Sequence, residues 1–186
     1  MRQRRSGYAR EPNDRYETPP WVTEALLPHL AADLKIWEPA AGSGNMVSVL
    51  RGAGHEVHSS DVDEDFLNAG ANGCTAVVTN PPYDRAREFI EHALAVTEPH
   101  QGLVAMLLRV DYDSAKTRMH LFADCRSFAK KLVLVRRIVW FAPAKKSPSY
   151  NHAWYLWDHR HHGAPALAYG PRGSSIPGKQ RKENNP

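Results

Sequence analysis

Two rhythms of apolar residues run along this chain. Val22, Ala25, Leu26 and Leu30 recur at helical spacing behind the pair Pro19-Pro20, which suits a helix start, so a helix is predicted over 21–30. Short apolar stretches bounded by turn residues predict strands at 34–38, 56–61, 75–80 and 102–109. Between them, helices are predicted over 45–50, through Phe89, Ile90, Ala93, Leu94 and Val96, and over 114–123. "KLVLVRRIVWF" and "NHAWYLWD" predict two closing strands that lie side by side. Strands alternating with helices and ending in a strand pair imply an α/β fold with a mostly parallel, helix-covered sheet.

The stretch "TAVVTNPPYD", 75–84, ends a fully apolar strand on an asparagine, two prolines and an aromatic. Successive prolines cannot join a ladder and hold the backbone extended and stiff. A plain turn is made more simply with Asn-Gly or Asp-Gly. The prolines therefore read as a rigid mount for Asn80 and Tyr83 at the carboxyl end of a strand, where open α/β sheets bind ligands.

"IWEPAAGSGNM" puts Gly42 and Gly44 after the first strand and at the mouth of a helix. Such glycines allow a tight turn and close backbone approach to a ligand. The third glycine of a dinucleotide site is missing, and no Gly-Lys-Ser/Thr follows, which weakens both nucleotide readings. Glu38 ends the strand where it would repel a pyrophosphate but attract a cation. Asp61, at the end of the next strand, stands where an acid commonly binds ribose hydroxyls. The implied ligand carries a ribose and a positive charge and no phosphates.

Length and charge bound the rest. With 186 residues the chain is read as one domain, and no window approaches a membrane span. The start lacks a secretory apolar segment, so a cytoplasmic protein is expected. Cys74 and Cys125 have no metal-type spacing and read as small, partly buried thiols. The net charge of +4 is concentrated at the ends: Arg2, Arg4, Arg5 and Arg10 in front, and Arg172, Lys179, Arg181 and Lys182 behind. Residues 125–157 also hold Arg126, Lys130, Lys131, Arg136, Arg137, Lys145 and Lys146 without an acid, which suits a solvated face or a phosphate backbone. "DHRHHG", 158–163, reads as exposed loop, and no metal is expected. The organisation expected is a basic flexible arm over 1–12, a catalytic domain over 13–168 and a disordered basic tail over 169–186.

Three ordered stretches, "YETPPW" (16–21), "EPAAGSGNM" (38–46) and "NPPY" (80–83), resemble the class I, S-adenosylmethionine-dependent amino methyltransferases that act on the N6 amine of DNA adenine. The order is that of the γ arrangement, and "NPPYDRAREFIEHAL" and "LLRVDYDSAKTR" also resemble short methylase-like proteins of phages and prophages, so a bacterial or phage-infected cell is the expected setting. The resemblance implies a Rossmann-like class I methyltransferase fold with a seven-stranded type of sheet and helices on both faces. Only thirteen residues separate Asp61 from Thr75, so one edge strand is expected to be shortened or lost. It further implies that Tyr16, Thr18 and Pro19 cradle the methionine end of S-adenosyl-L-methionine, that Glu38, Ala40, Gly42 and Gly44 line its middle, and that Asp61 holds the ribose. Asp65 and Phe66 would stand near the adenine ring, with Asp61, Asp63 and Asp65 able to exchange roles.

In this family the asparagine side chain and the following carbonyl accept the two N–H bonds of the target amine, here Asn80 and Pro81, with Pro82 stiffening the turn. Proline offers an acceptor with no competing donor. Tyr83 would stack on a base flipped out of duplex DNA. Phe141, with Trp140 as alternative, would complete the clamp, and Lys145 and Lys146 would meet the phosphates. No separate target-recognition domain is expected, so specificity would be low, come from loops such as 145–151, or need a partner protein. Two rivals stand beside this reading: an amino methyltransferase acting on ribosomal RNA, and a degenerate, non-enzymatic module that binds nucleic acid or a partner. Asparagine rather than serine at the head of the motif favours adenine over cytosine.

Overall fold

The computed structural model describes residues 17–61, 66–140 and 150–170. The expectations for the arm, for most of the tail, and for Tyr16, Asp63, Asp65, Phe141, Lys145 and Lys146 lie outside the described residues.

In chain order the elements are α1 (Pro20–Glu24), β1 (Lys35–Glu38), α2 (Asn45–Gly52), β2 (Glu56–Ser59), β3 (Ala76–Thr79), α3 (Ala86–Thr97), β4 (Leu103–Arg109), β5 (Phe128–Leu134), β6 (His152–Asp158) and β7 (Ala166–Gly170). The strands form one seven-stranded sheet in the order β2-β1-β3-β4-β6-β5-β7. Every pairing is parallel except those of β6, which runs antiparallel to both β4 and β5. The expected mostly parallel α/β sheet is therefore present. Between β2 and β3 the described residues form only the 3-10 turn Phe66–Asn68, so the expected short edge strand is reduced to a turn and β2 is the edge.

Two apolar layers sandwich the sheet. On one face Val22, Leu26, Met46, Val47 and Leu50 of α1, its exit and α2 pack on Ile36, Val78, Ala105, Leu107 and Trp154. On the other, Phe89, Ile90 and Ala93 of α3 pack on Trp37, Val77, Val104, Met106 and Tyr155. Each fully buried Val, Leu, Ile, Phe or Met side chain among them contributes about 1.5–3 kcal/mol. The indoles of β6 pin both layers: Trp154 Nε1 donates to the Val22 carbonyl (2.9 Å) and Trp157 Nε1 to the Leu121 carbonyl (2.6 Å).

Three expectations need correction. The helix over 21–30 stops at Glu24 and gives way to a 3-10 turn, Leu27–His29, because Pro28 has no N–H and its ring crowds the carbonyl four residues back. The helix over 114–123 is instead two 3-10 segments, Tyr112–Ser114 and Lys116–Leu121; only Leu121 and Phe122 there are buried apolar residues, too few for an amphipathic α-helix. The strand read through "KLVLVRRIVWF" starts earlier, at Phe128, and ends at Leu134, where Val135, Arg136 and Arg137 turn out to solvent. The chain also does not close on a strand pair. β7 adds a parallel edge beside β5 and runs across the 168/169 boundary expected for the catalytic domain. It is only five residues long and lies between Pro165 and Pro171, and its Leu167 and Tyr169 are exposed, so no burial pattern marked it. Among the described residues no helix is long and apolar enough to cross a membrane.

Candidate active site

The sheet order reverses between β1 and β3: from β1 the chain winds outward to β2, then returns to the other side of β1. The carboxyl ends of β1 and β3 therefore flank a topological switch point, the crevice where such sheets take ligands. Glu38 ends β1, and Thr79 ends β3 just before Asn80.

Glu38 is 0% exposed. Its Oε1 accepts hydrogen bonds from the Ala40 N–H (2.9 Å) and from the Thr79 hydroxyl (2.5 Å). Its Oε2 is buried and has no hydrogen-bond partner among the described residues. Burial raises the carboxyl pKa to about 8, against the lowering effect of the Thr79 and Ala40 hydrogen bonds, and the charge of Asp61 adds to the rise. The site thus holds a buried acid beside a short loop of backbone donors.

That loop is tied to the end of β2. Ala41 N–H donates to the Ser60 carbonyl and Ser60 N–H to the Glu38 carbonyl, both at 3.0 Å. Ser60 Oγ accepts from Trp37 Nε1 at 3.0 Å. Gly44 caps α2 with φ 82° and Gly42 has φ 51°, left-handed conformations that an L side chain enters at a cost of about 1–2 kcal/mol. No heavy atom outside their immediate neighbours lies within 4 Å of where a Cβ would sit on either, which leaves room for a ligand at the backbone. Asp61 follows Ser60 and is half-buried. Thr18 is buried, and Pro19 is the extended N-cap of α1, which packs against α2. Phe66 is 2% exposed, with its ring edge-on to Trp37 (4.8 Å) and His92 (4.8 Å) and tilted on Phe89 (5.0 Å). It is a core ring packed between Trp37 of β1 and the α3 side chains.

After Thr79 the chain turns through half-buried Asn80, buried Pro81, and half-buried Pro82 and Tyr83. The Pro82 carbonyl accepts from Arg85 N–H (3.0 Å), closing the turn into α3. The Tyr83 ring stacks on His152, centroids 6.1 Å apart and 26° between planes, and Trp140 meets the same imidazole edge-on at 5.3 Å. Of the two aromatics weighed for the clamp, Trp140 thus reaches the Tyr83 stack. His152 opens β6 opposite Arg109, the last residue of β4. Burial and the Arg109 guanidinium lower its pKa to about 4, so the ring is neutral near pH 7.

Sequence reasoning missed His152 and Ser60. A histidine at the head of an apolar strand and a serine after a short strand carry no signal until the topology brings them to the crevice. It also missed the clasp behind the site. Tyr155 Oη lies 3.1 and 3.0 Å from the Arg109 and Val110 carbonyls, and Asp113 is held by Lys131 Nζ at 2.7 Å. The loop leaving β4 is therefore tethered to β5 and β6. Within "DHRHHG", Asp158 pairs with Arg160 and His161 meets the Gly163 carbonyl, while His159 reaches Thr97 at the end of α3.

No protein-family model and no curated protein matches the chain. Solved structures match it in fold. A protein described as an RNA methyltransferase of Pyrococcus horikoshii superposes with a TM-score of 0.55 at 15% identity, over 78% of this chain and 87% of its own. One described as a class I S-adenosylmethionine-dependent methyltransferase of Listeria monocytogenes gives 0.53 at 15% identity, over 80% of this chain and 62% of its own. The M protein of the type I restriction enzyme EcoKI gives 0.52 at 12% identity, over 78% of this chain and 45% of its own. The chain thus spans less than two thirds of the last two. At these identities the likeness is one of fold, and the fold is that of the class I methyltransferases.

Proposed function

We propose that this protein transfers the methyl group of S-adenosylmethionine directly to the N6 amine of an adenine flipped out of duplex DNA. The observation that carries the reading is the Glu38–Thr79 hydrogen bond at the switch point: it sets the glycine loop and the Asn80-Pro81-Pro82-Tyr83 turn on the two sides of one crevice.

The residues present fit the cofactor. Glu38 Oε2, buried and lacking a partner among the described residues, calls for a cationic group, and the loop at Gly42 and Gly44 admits a close ligand. Glu38, Ala40, Gly42 and Gly44 would hold its amino-acid end and middle, together with Thr18 and Pro19, and Asp61 would bind the ribose. S-adenosylmethionine supplies an electrophilic methyl group on a sulfonium. Asn80 Oδ1 and the Pro81 carbonyl would accept the two N–H bonds of the amine, favouring a tetrahedral nitrogen whose lone pair points at that methyl. Tyr83, backed by neutral His152, would stack on the flipped base. Catalysis on this account is positioning and electrostatics at a stiff turn, with no covalent nucleophile.

Specificity for the target sequence would be low, or be supplied by the segment over 145–151 or by a partner protein, with Lys145, Lys146 and Phe141 as candidate substrate-binding residues. The likeness to the M protein of a type I restriction enzyme supports a partner. The basic segments over 1–12 and 169–186 would add non-specific affinity for the backbone. A second reading, an amine of RNA as acceptor, is favoured by the likeness to a protein described as an RNA methyltransferase.

The test is transfer of tritiated methyl to unmethylated duplex DNA, with single-stranded DNA and ribosomal RNA in parallel. Label recovered as N6-methyladenine, and reduced at least ~100-fold by Asn80→Ala while cofactor still binds, is the expected result. Label on RNA alone moves the assignment to the second reading, and cofactor binding without transfer to any nucleic acid leaves a binding module.

A further inference from the structure

The contact between Glu38 and Thr79 joins two parts of the site that the motifs treat separately. Thr79 belongs to β3 and is 0% exposed, its hydroxyl turned across the switch point onto β1. Its own backbone continues into Asn80. The carboxylate it holds has one oxygen fully used, by Thr79 and by Ala40, and one buried oxygen with no partner among the described residues. A proton on this carboxyl group therefore belongs on Oε2, since Oε1 already accepts two donors. Asp61, beyond β2, is the charged group that acts on Glu38; β3 brings the Thr79 hydroxyl and the loop brings the Ala40 N–H, and no described cation acts on it.

We infer that Thr79 is a positioning residue that couples the two halves of the site: a cationic ligand arriving at Glu38 Oε2 displaces its proton to solvent, and the ionised carboxylate then grips the Thr79 hydroxyl and sets the Asn80 turn. The proton balance is one lost per ligand bound. Hydrogen bonds to a charged acceptor are shorter and about twice as strong as neutral ones, so the grip tightens when the crevice fills. The inference rests on the S-adenosylmethionine reading of the crevice and not on the identity of the methyl acceptor.

Calorimetric titration of S-adenosylmethionine, and of S-adenosylhomocysteine as the uncharged-sulfur control, into the full chain tests it without turnover. In two buffers of different ionisation enthalpy at pH 6.5, release of about one proton per ligand is expected, with affinity falling about tenfold per pH unit below pH 7. Glu38→Gln should abolish both proton release and the pH slope. Thr79→Val should weaken binding about tenfold, and Thr79→Ser should restore most of that. Hydrogen exchange supplies the second readout: ligand should slow exchange of the Tyr83, Asp84 and Arg85 amides in wild type and in Thr79→Ser, and not in Thr79→Val. Thermal unfolding of each variant reports whether it is folded. Ligand binding without proton release, or a folded Thr79→Val protein with wild-type affinity and protection, overturns the inference alone. A wild-type protein that binds neither compound overturns the cofactor reading and the inference together.

Discussion

Glu38→Gln should make the ligand-free protein more stable at pH 8 and no more stable at pH 5. The wild-type carboxyl is fully buried, and its pKa rises on folding from 4.5 to about 8. A raised acid in the native state means that native protein binds more protons than unfolded chain between those values, so stability is greatest below about pH 4.5 and falls as pH rises towards 8. The rise corresponds to about 5 kcal/mol over the whole window, at about 1.4 kcal/mol per factor of ten. Glutamine retains the oxygen that accepts from Thr79 and Ala40, and it puts an amide NH2 where Oε2 lacks a partner among the described residues. Leaving those donors unsatisfied costs about 1–3 kcal/mol at any pH. The difference is a net gain of about 2–4 kcal/mol at pH 8 and a small loss at pH 5. Urea unfolding of both proteins at the two pH values measures it directly, and a Tm rise of roughly 4–16 °C at pH 8 accompanies it for a chain of this size. A mutant whose stability runs parallel to wild type across that pH range would show that Glu38 titrates normally and that the buried-acid account of the crevice is wrong.

Other substitutions probe different parts of the frame. Gly44→Ala places a Cβ at φ 82° with nothing to clash against, so it isolates backbone strain: about 1–2 kcal/mol lost in urea unfolding, with weaker cofactor binding in calorimetry. Tyr155→Phe leaves the ring packed but removes the hydroxyl that serves the Arg109 and Val110 carbonyls, and should cost about 1–3 kcal/mol while speeding amide exchange over 110–114. If that exchange is unchanged, the clasp does not hold the loop.

The parts of the fold that were legible were those where burial is one-sided or total. The runs through Val77 and Val78, and from Leu103 to Leu108, are buried on both faces, and such strands read as continuous apolar segments. The glycine loop was legible because positive φ demands glycine, and the Asn-Pro-Pro-Tyr turn because two prolines after a strand are a rare device. What escaped depended on contacts made at long range. Four of the five residues of β7 are exposed or half-exposed, so its short apolar run buries little and its strand conformation comes from pairing with β5. His152 matters because β6 inserts beside β4, sixty-nine residues after Tyr83, and Thr79 matters because β1 and β3 are neighbours. Neither adjacency is written locally. The failed helix over 114–123 erred in the other direction: acceptable helix formers were present, but the segment buries little besides Leu121 and Phe122, so nothing rewarded a full α-helical turn.

β6 has a consequence for the order in which the protein becomes competent. It is translated after β5, yet it lies between β4 and β5 and, among the described residues, is what joins them in the sheet. Until residues 152–158 have emerged from the ribosome, the parallel block β2-β1-β3-β4 stands with an open edge, and β5 has no partner to its inner side. The same late strand carries Trp154 and Trp157, which fasten α1 and the segment at Leu121, and begins with His152, on which Tyr83 leans. A nascent chain can therefore assemble the half of the crevice built on β1 and β2 before the wall formed by Tyr83 and His152 exists. The joining of β4 to β5 and the buttressing of the Tyr83 turn are one event, the arrival of a seven-residue strand, after which β7 adds the outer edge.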